Sequence, residues 1–135
     1  MNIISINNKN INLLKKFIEL NDSSNFRYFN SRNVNVIKNH IVTLLVIDNN
    51  NIIGYGHLDF EKYIWLGVCI LKKYRGKGYG TLMIKNLIYI ANNNNIKNIF
   101  LTVDKENIPA INLYKKFDFK IIEEFDTYYK MCKNM

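Results

Sequence analysis

Hydrophobic and polar positions along this chain follow two periods, and each change of period marks an element. "IISI" at residues 3–6 reads as a short first strand. From Asn10 onward, Ile11, Leu14 and Ile18, with Leu13, Phe17 and Leu20, recur at helical spacing. "NDSS" at 21–24 stops that helix. The segment "NFRYFNSRNVNVIKNH" at 25–40 keeps no period and predicts one short helix with loops. A meander of strands follows: 41–47, a turn at "DNNN", 52–60, a tight turn at Glu61–Lys62, and 63–70. Met83, Leu87, Ile90 and Ala91, with Ile84 and Ile88, make one face of a second helix ending near Asn92. "IKNIFLTV" at 96–103 reads as a buried strand. Asn107 is placed to cap a third helix, with Pro109 tolerated in its first turn and Ala110, Leu113, Tyr114 and Phe117 on one face. Strands at 119–125 and 127–133 close the chain. This order predicts one α/β (α+β layered) domain over residues 1–135, with no linker or repeat.

Composition changes the picture little. A chain of 135 residues, 48% hydrophobic and 22% charged, suits one soluble globular domain. The longest apolar run, "IVTLLVI" at 41–47, is too short to cross a bilayer. "MNIISINNKN" lacks the basic start and apolar stretch of a signal peptide, so the cytoplasm is the expected compartment and no membrane partner is expected. Cys69 and Cys132 lie in apolar, strand-like settings and read as buried free thiols without metal-ligand spacing. The Asn runs at 49–51 and 92–95 read as coding bias tolerated in turns. Charge says more. A net +8 favours an anionic partner, whether nucleic acid, phosphate-bearing cofactor or acidic lipid.

The densest local chemistry is "YRGKGYGTLM", Tyr74 to Met83. A dinucleotide-binding turn needs G-x-G-x-x-G after a strand of a parallel βαβ unit. Here Gly76, Gly78 and Gly80 are spaced G-x-G-x-G after a meander. A G-x-x-x-x-G-K phosphate loop fails because Leu71 holds the first glycine position. "KGYG" at 77–80 matches half of an RNA-binding strand motif, but Thr81 and Ile84 stand where stacking aromatics belong. A third reading is an anion site. The strand ends at Ile70, an amide-rich turn follows, and a helix starts near Tyr79, so successive N–H groups and the helix dipole suit a pyrophosphate. Arg75 and Lys77 add charge. A plain glycine-rich turn with solvated basic side chains is the competing reading of these residues taken alone.

At these residues the chain resembles the GNAT acetyltransferase superfamily. The family's coenzyme signature, Q/R-x-x-G-x-G/A, is matched by Arg75, Gly78 and Gly80, after the strand "WLGVCI" and at the opening of a helix. A second signature, N-x-x-A-x-x-L-Y-x-K-x-G-F, is matched by Asn107, Ala110, Leu113, Tyr114, Lys116 and Phe119. It departs at Asp118, where the family has glycine; Asp tolerates a left-handed helix cap better than most residues. The resemblance covers nearly the whole chain. It implies a mixed, mainly antiparallel sheet of about six to seven strands flanked by helices.

It also implies acetyl-CoA as co-substrate, no metal, and direct attack of an amine on the thioester. By position, backbone groups of Val68, Cys69 and Ile70 would pair with the pantetheine arm, one amide polarising the acetyl carbonyl. Amides of Arg75, Gly76, Lys77, Gly78, Tyr79, Gly80 and Thr81 would hold the pyrophosphate, and Asn107 would touch the coenzyme. Tyr114 matches the tyrosine that protonates the departing thiolate; a tyrosine packed on its helix's apolar face is the alternative. Some members carry a glutamate base at the position of Ile64 here. A hairpin turning at Glu61–Lys62 would set Asp59 opposite Ile64 and His57 opposite Leu66, on the same face as the absent glutamate. His57 and Asp59 are therefore the candidate bases, His57 having the better pKa range, with a water relay as the alternative.

For the acceptor, "NFRYFNSR" at 25–32 falls where the family places its variable wall. Arg27 and Arg32 would take phosphates, and Tyr28 or Phe29 would stack on a base or sugar. A looser resemblance to small enzymes of surface-glycan pathways implies a nucleotide-activated amino sugar, such as a 4-amino-dideoxyhexose. A protein amine or polyamine is the alternative acceptor, the polyamine disfavoured by the basic surface unless an acidic pocket exists. An RNA-binding module is the alternative of another class, and a nucleic-acid partner is not expected. A homodimer is compatible with the resemblance.

Overall fold

The computed structural model describes residues 2–20 and 40–135. The elements run β1 (Asn2–Ser5), α1 (Ile11–Leu20), β2 (His40–Asp48), β3 (Asn51–Glu61), β4 (Tyr63–Ile70), α2 (Tyr79–Asn93), β5 (Asn98–Asp104), α3 (Ile108–Lys116), β6 (Lys120–Glu124) and β7 (Tyr128–Asn134). A single 3-10 turn, Lys72–Tyr74, joins β4 to the glycine-rich segment. The short helix expected within 25–40 lies outside the described residues.

Each element follows from local sequence. Asn49 and Asn50 adopt φ of 50° and 65°, the mirror-image turn that closes a twisted hairpin between β2 and β3. Asn107 caps α3, its Oδ1 accepting from the Ala110 amide at 3.3 Å. Asp118 takes φ 67° just beyond α3, the left-handed geometry expected where the family has glycine.

The strands form a seven-stranded sheet in the order β1-β2-β3-β4-β5-β7-β6. Neighbours are antiparallel except β4 and β5, which run parallel and pair only at Trp65 and Phe100. Beyond that rung the two strands part. The larger core lies between the sheet and helices α2 and α3, with Leu58, Leu66, Met83, Leu87, Leu101 and Met131 at its centre. A second core sits on the other face, where Leu14 and Phe17 of α1 cover Leu45, Tyr55 and Cys69. Burial of both faces is the main stabilising term for such a layered fold. Among the described residues no helix is long and apolar enough to cross a membrane.

Two expectations need correction. The β3–β4 hairpin turns at Lys62 alone, in the left-handed region at φ 65°, with Glu61 paired to Tyr63. The register therefore slips by one: Asp59 faces Trp65 and His57 faces Gly67, not Ile64 and Leu66. Since side chains alternate across a strand, His57 and Asp59 lie on the face opposite Ile64. The second correction is Cys132, which is only half-buried, although Cys69 is buried as expected.

Candidate active site

A cleft of about 850 Å³ opens where β4 and β5 part and passes through the sheet. That volume lies toward the upper end for small-molecule sites. Its walls differ on the two faces of the sheet.

On the face covered by α2 and α3 the wall is the turn after β4, the start of α2 and one side of α3. Gly76 and Gly78 adopt φ of 78° and 90°, which side chains with a Cβ rarely tolerate, and open space lies where their Cβ atoms would be. Within α2 the amide of Leu82 bonds back to the Gly78 carbonyl at 3.1 Å. The amides before it lie at the helix N-terminus, where no intrahelical carbonyl reaches them. They form an uncovered cradle of donors suited to an anion. Arg75 does more than add charge: its Nε donates to the Ile70 carbonyl at 3.0 Å and ties the turn to the end of β4, while its amide donates to the Lys72 carbonyl at 3.3 Å and so, contrary to expectation, does not join the cradle. Lys77 is exposed and stands outside the cleft wall. Tyr74 and Tyr79 meet edge to face at 6.4 Å and both line the cleft. The Tyr79 hydroxyl donates to Asp48 at 3.3 Å, and burial with the Asp48 charge raises its pKa.

Val68 and Ile70 of β4 line the cleft, whereas Cys69 points into the α1 core. From α3, Asn107, Ala110 and Tyr114 line it. Tyr114 is 8% exposed and belongs to the large core while also bordering the cleft. Burial pushes its phenol pKa well above the usual tyrosine range, and the Cys69 sulfur adds to the shift. Its ring packs in the core, and burial favours the protonated phenol.

On the other face the wall is polar. His57 is 3% exposed and Asp59 7%, and both line the cleft beside Trp65 and Gly67. The Tyr55 hydroxyl and His57 Nδ1 lie 2.7 Å apart. Asp59 Oδ1 is fully enclosed. Glu61, Thr102 and Asp104 complete this side, and sequence reading missed all three. The signal was present for Thr102 and Asp104, because alternation along β5 buries Ile99, Leu101 and Val103 and turns their neighbours the other way. Asn112 and Lys116, one helical turn apart on α3, also reach the cleft. Arg27, Tyr28, Phe29 and Arg32 lie outside the described residues. Among the described residues, no three His, Cys, Asp or Glu side chains gather to hold a metal ion.

Comparison with known proteins matches residues 9–119 to the acetyltransferase (GNAT) family model. The uncharacterized N-acetyltransferase YobR of Bacillus subtilis is 39% identical over 82 residues, 61% of this chain and 28% of that protein. A spermine/spermidine N(1)-acetyltransferase of Bacillus subtilis is 38% identical over 65 residues, 47% of this chain and 43% of that protein. The chain thus spans less than half the length of these curated relatives. The crystal structure of a GNAT-family acetyltransferase from Streptococcus pneumoniae superposes with a TM-score of 0.82 at 23% identity, covering 99% of this chain and 98% of that one. It shares the fold.

Proposed function

Because the chain belongs to the GNAT acetyltransferase family, we propose that it transfers an acetyl group from acetyl-CoA to a primary amine across the seam between β4 and β5. One observation carries the reading. A single cleft joins the glycine turn and Tyr114 on one face of the sheet to His57 and Asp59 on the other. When bound, acetyl-CoA supplies an activated acyl carbon.

The residues divide the work by position. Amides from Gly76 to Thr81, with the α2 dipole behind them, hold the pyrophosphate; the open space over Gly76 and Gly78 fits that role. Past Trp65, β4 has no rung to β5, so backbone groups at Val68–Ile70 bind the pantetheine arm as an added strand would. One of those amides polarises the acyl carbonyl. Asn107 borders the same arm. As the C–N bond forms and the C–S bond breaks, His57 takes the proton lost by nitrogen and Tyr114 gives its proton to sulfur. Asp59 lies two residues from His57 on the same face and supports the positive charge that His57 acquires.

Two acceptor classes rest on different residues. Asp59, Glu61 and Asp104 give the acceptor side an acidic wall in a basic protein, which supports a cationic amine such as a polyamine or peptide N-terminus. A relative named as a spermine/spermidine acetyltransferase points the same way. The nucleotide-linked amino sugar rests on Arg27, Tyr28 and Arg32, through phosphate pairing and stacking. Thiol release from acetyl-CoA with spermidine, a free-N-terminal peptide and a nucleotide-linked amino sugar separates them. Faster turnover with spermidine or peptide supports the acidic wall as selector, and faster turnover with the sugar supports the arginines. No thiol release with any amine, with no rise in Tm on adding acetyl-CoA, overturns the acetyltransferase reading.

A further inference from the structure

Tyr55 is not among the residues that line the cleft, yet it is built around His57. Both stand on β3, two residues apart and therefore on one face. The Tyr55 ring is 2% exposed and stacks on Phe17 of α1 at 5.9 Å with 23° between planes. Its hydroxyl is 2.7 Å from His57 Nδ1, and the two rings tilt together at 5.3 Å. Helix α1 thereby fixes the phenol, and the phenol fixes the imidazole.

We infer that Tyr55 is a positioning residue for His57, holding the ring by Nδ1 so that proton exchange with the acceptor amine takes place at Nε2. The inference rests on the reading of His57 as the base. A neutral imidazole carries one hydrogen, and only its bare nitrogen accepts a proton. For Nε2 to accept, the hydrogen must sit on Nδ1 and donate to the Tyr55 oxygen. That hydrogen bond persists when His57 becomes the imidazolium, because Nδ1–H is a donor in both states. The ring therefore need not turn during the reaction. The opposite arrangement, with the phenol donating to Nδ1, leaves Nε2 carrying hydrogen and removes the base. Of the groups sharing this wall, Thr43 lies across from His57 on β2 and Gly67 across on β4. Neither brings a formal charge; the charged groups on this wall are Asp59, Glu61 and Asp104, and Tyr55 adds an uncharged hydroxyl at Nδ1.

Nitrogen-15 NMR of the His57 ring in the ligand-free full chain reads the tautomer directly. The expected result is hydrogen on Nδ1 in wild type and a shift toward Nε2–H in Tyr55→Phe, which keeps the ring stacked on Phe17. Hydrogen on Nε2 in wild type overturns the inference. Kinetics supply a second readout, with acetyl-CoA and spermidine, or the amino sugar if that is the faster acceptor. In Tyr55→Phe, kcat should fall about tenfold, part of the roughly 10²- to 10⁴-fold that a general base supplies, with KM for acetyl-CoA unchanged. In a His57→Gln background the same change should cost nothing more. An equal loss in both backgrounds overturns the inference, since the hydroxyl would then act without His57. If His57→Gln itself leaves kcat intact, the base reading fails, and the NMR result still decides whether Tyr55 holds the ring.

Discussion

The amide of Phe119 donates to the carbonyl of Tyr114 at 3.1 Å, while the two rings meet edge on with centroids 5.8 Å apart. Together with the Asp118 amide on the Lys115 carbonyl at 3.1 Å, this closes α3 with the paired bonds and apolar contact of a Schellman cap. The catalytic candidate is thus anchored at both ends: its backbone by the cap, its ring by Phe119.

Asp118 stands at the left-handed position of that cap with φ 67°. Replacing it by glycine removes the Cβ penalty, so Asp118→Gly should stabilise the protein by about 0.5–1 kcal/mol, and Asp118→Val should destabilise it by about 1 kcal/mol or more. Urea unfolding monitored by circular dichroism measures both. A glycine variant less stable than wild type would contradict the geometry.

Gly78 should tolerate no branched side chain. At φ 90° a valine is strained, and its Cβ would stand in the space over the cradle amides. Gly78→Val should fold and bind acetyl-CoA at least about tenfold more weakly by calorimetry, since a single lost phosphate hydrogen-bond set is worth about 1.5–3 kcal/mol. Wild-type affinity would remove the glycine turn from the site.

Tyr114→Phe separates packing from proton transfer. Turnover should fall roughly 10²-fold while coenzyme affinity holds, the scale of one acid–base group. Stability has its own signature. Because burial holds the folded phenol's pKa above its unfolded value, wild type is fully stabilised below about pH 10 and loses that contribution as pH rises further. Tyr114→Phe should lose stability less steeply above about pH 10 in denaturant titrations. Parallel curves would mean that the phenol ionises as freely in the fold as outside it.

Removing charge from the acceptor wall should act on one substrate only. Glu61→Gln with Asp104→Asn should raise KM for spermidine by about 3- to 10-fold and leave that for acetyl-CoA unchanged, as expected for partly exposed carboxylates worth up to about 1 kcal/mol each. Added salt should erase the difference. Equal changes in both constants would mean that these residues shape the cleft rather than select the acceptor.

Helix α2 should resist any widening of its seat. A Cβ on Gly56 would lie 2.6 Å from the Met83 Cγ and Sδ and 3.1 Å from a Leu87 methyl. Gly56→Ala should cost about 1–3 kcal/mol by overpacking, softened by the flexibility of methionine. Thermal unfolding of the variant tests it.

Much of the fold and of the cleft lining was readable from the chain because its signals are local. Periodicity located the elements within a few residues of their bounds, Asn107 announced its own cap, and the glycine spacing needed only the strand before it and the helix after it. What escaped depended on pairing. The face of His57 and Asp59 turns on whether the hairpin closes with one residue or two, and Lys62 in a left-handed conformation is a choice that no propensity of Glu-Lys-Tyr dictates. Thr102 and Asp104 lie on a strand far from the motifs and reach the site only because β5 departs from β4. The contact between Tyr55 and His57 follows from their alternate positions on β3, whereas the packing of α1 on Tyr55 needed the fold.

The lone rung at Trp65 and Phe100 makes the sheet a bifold, with a leaf of β1 to β4 and a leaf of β5, β7 and β6. The cradle hangs from the first leaf and Tyr114 from the second, since one follows β4 and the other follows β5. Their separation is therefore an opening angle rather than a fixed length along any ladder. A substitution that tilts one leaf against the other would shift the glycine turn relative to Tyr114.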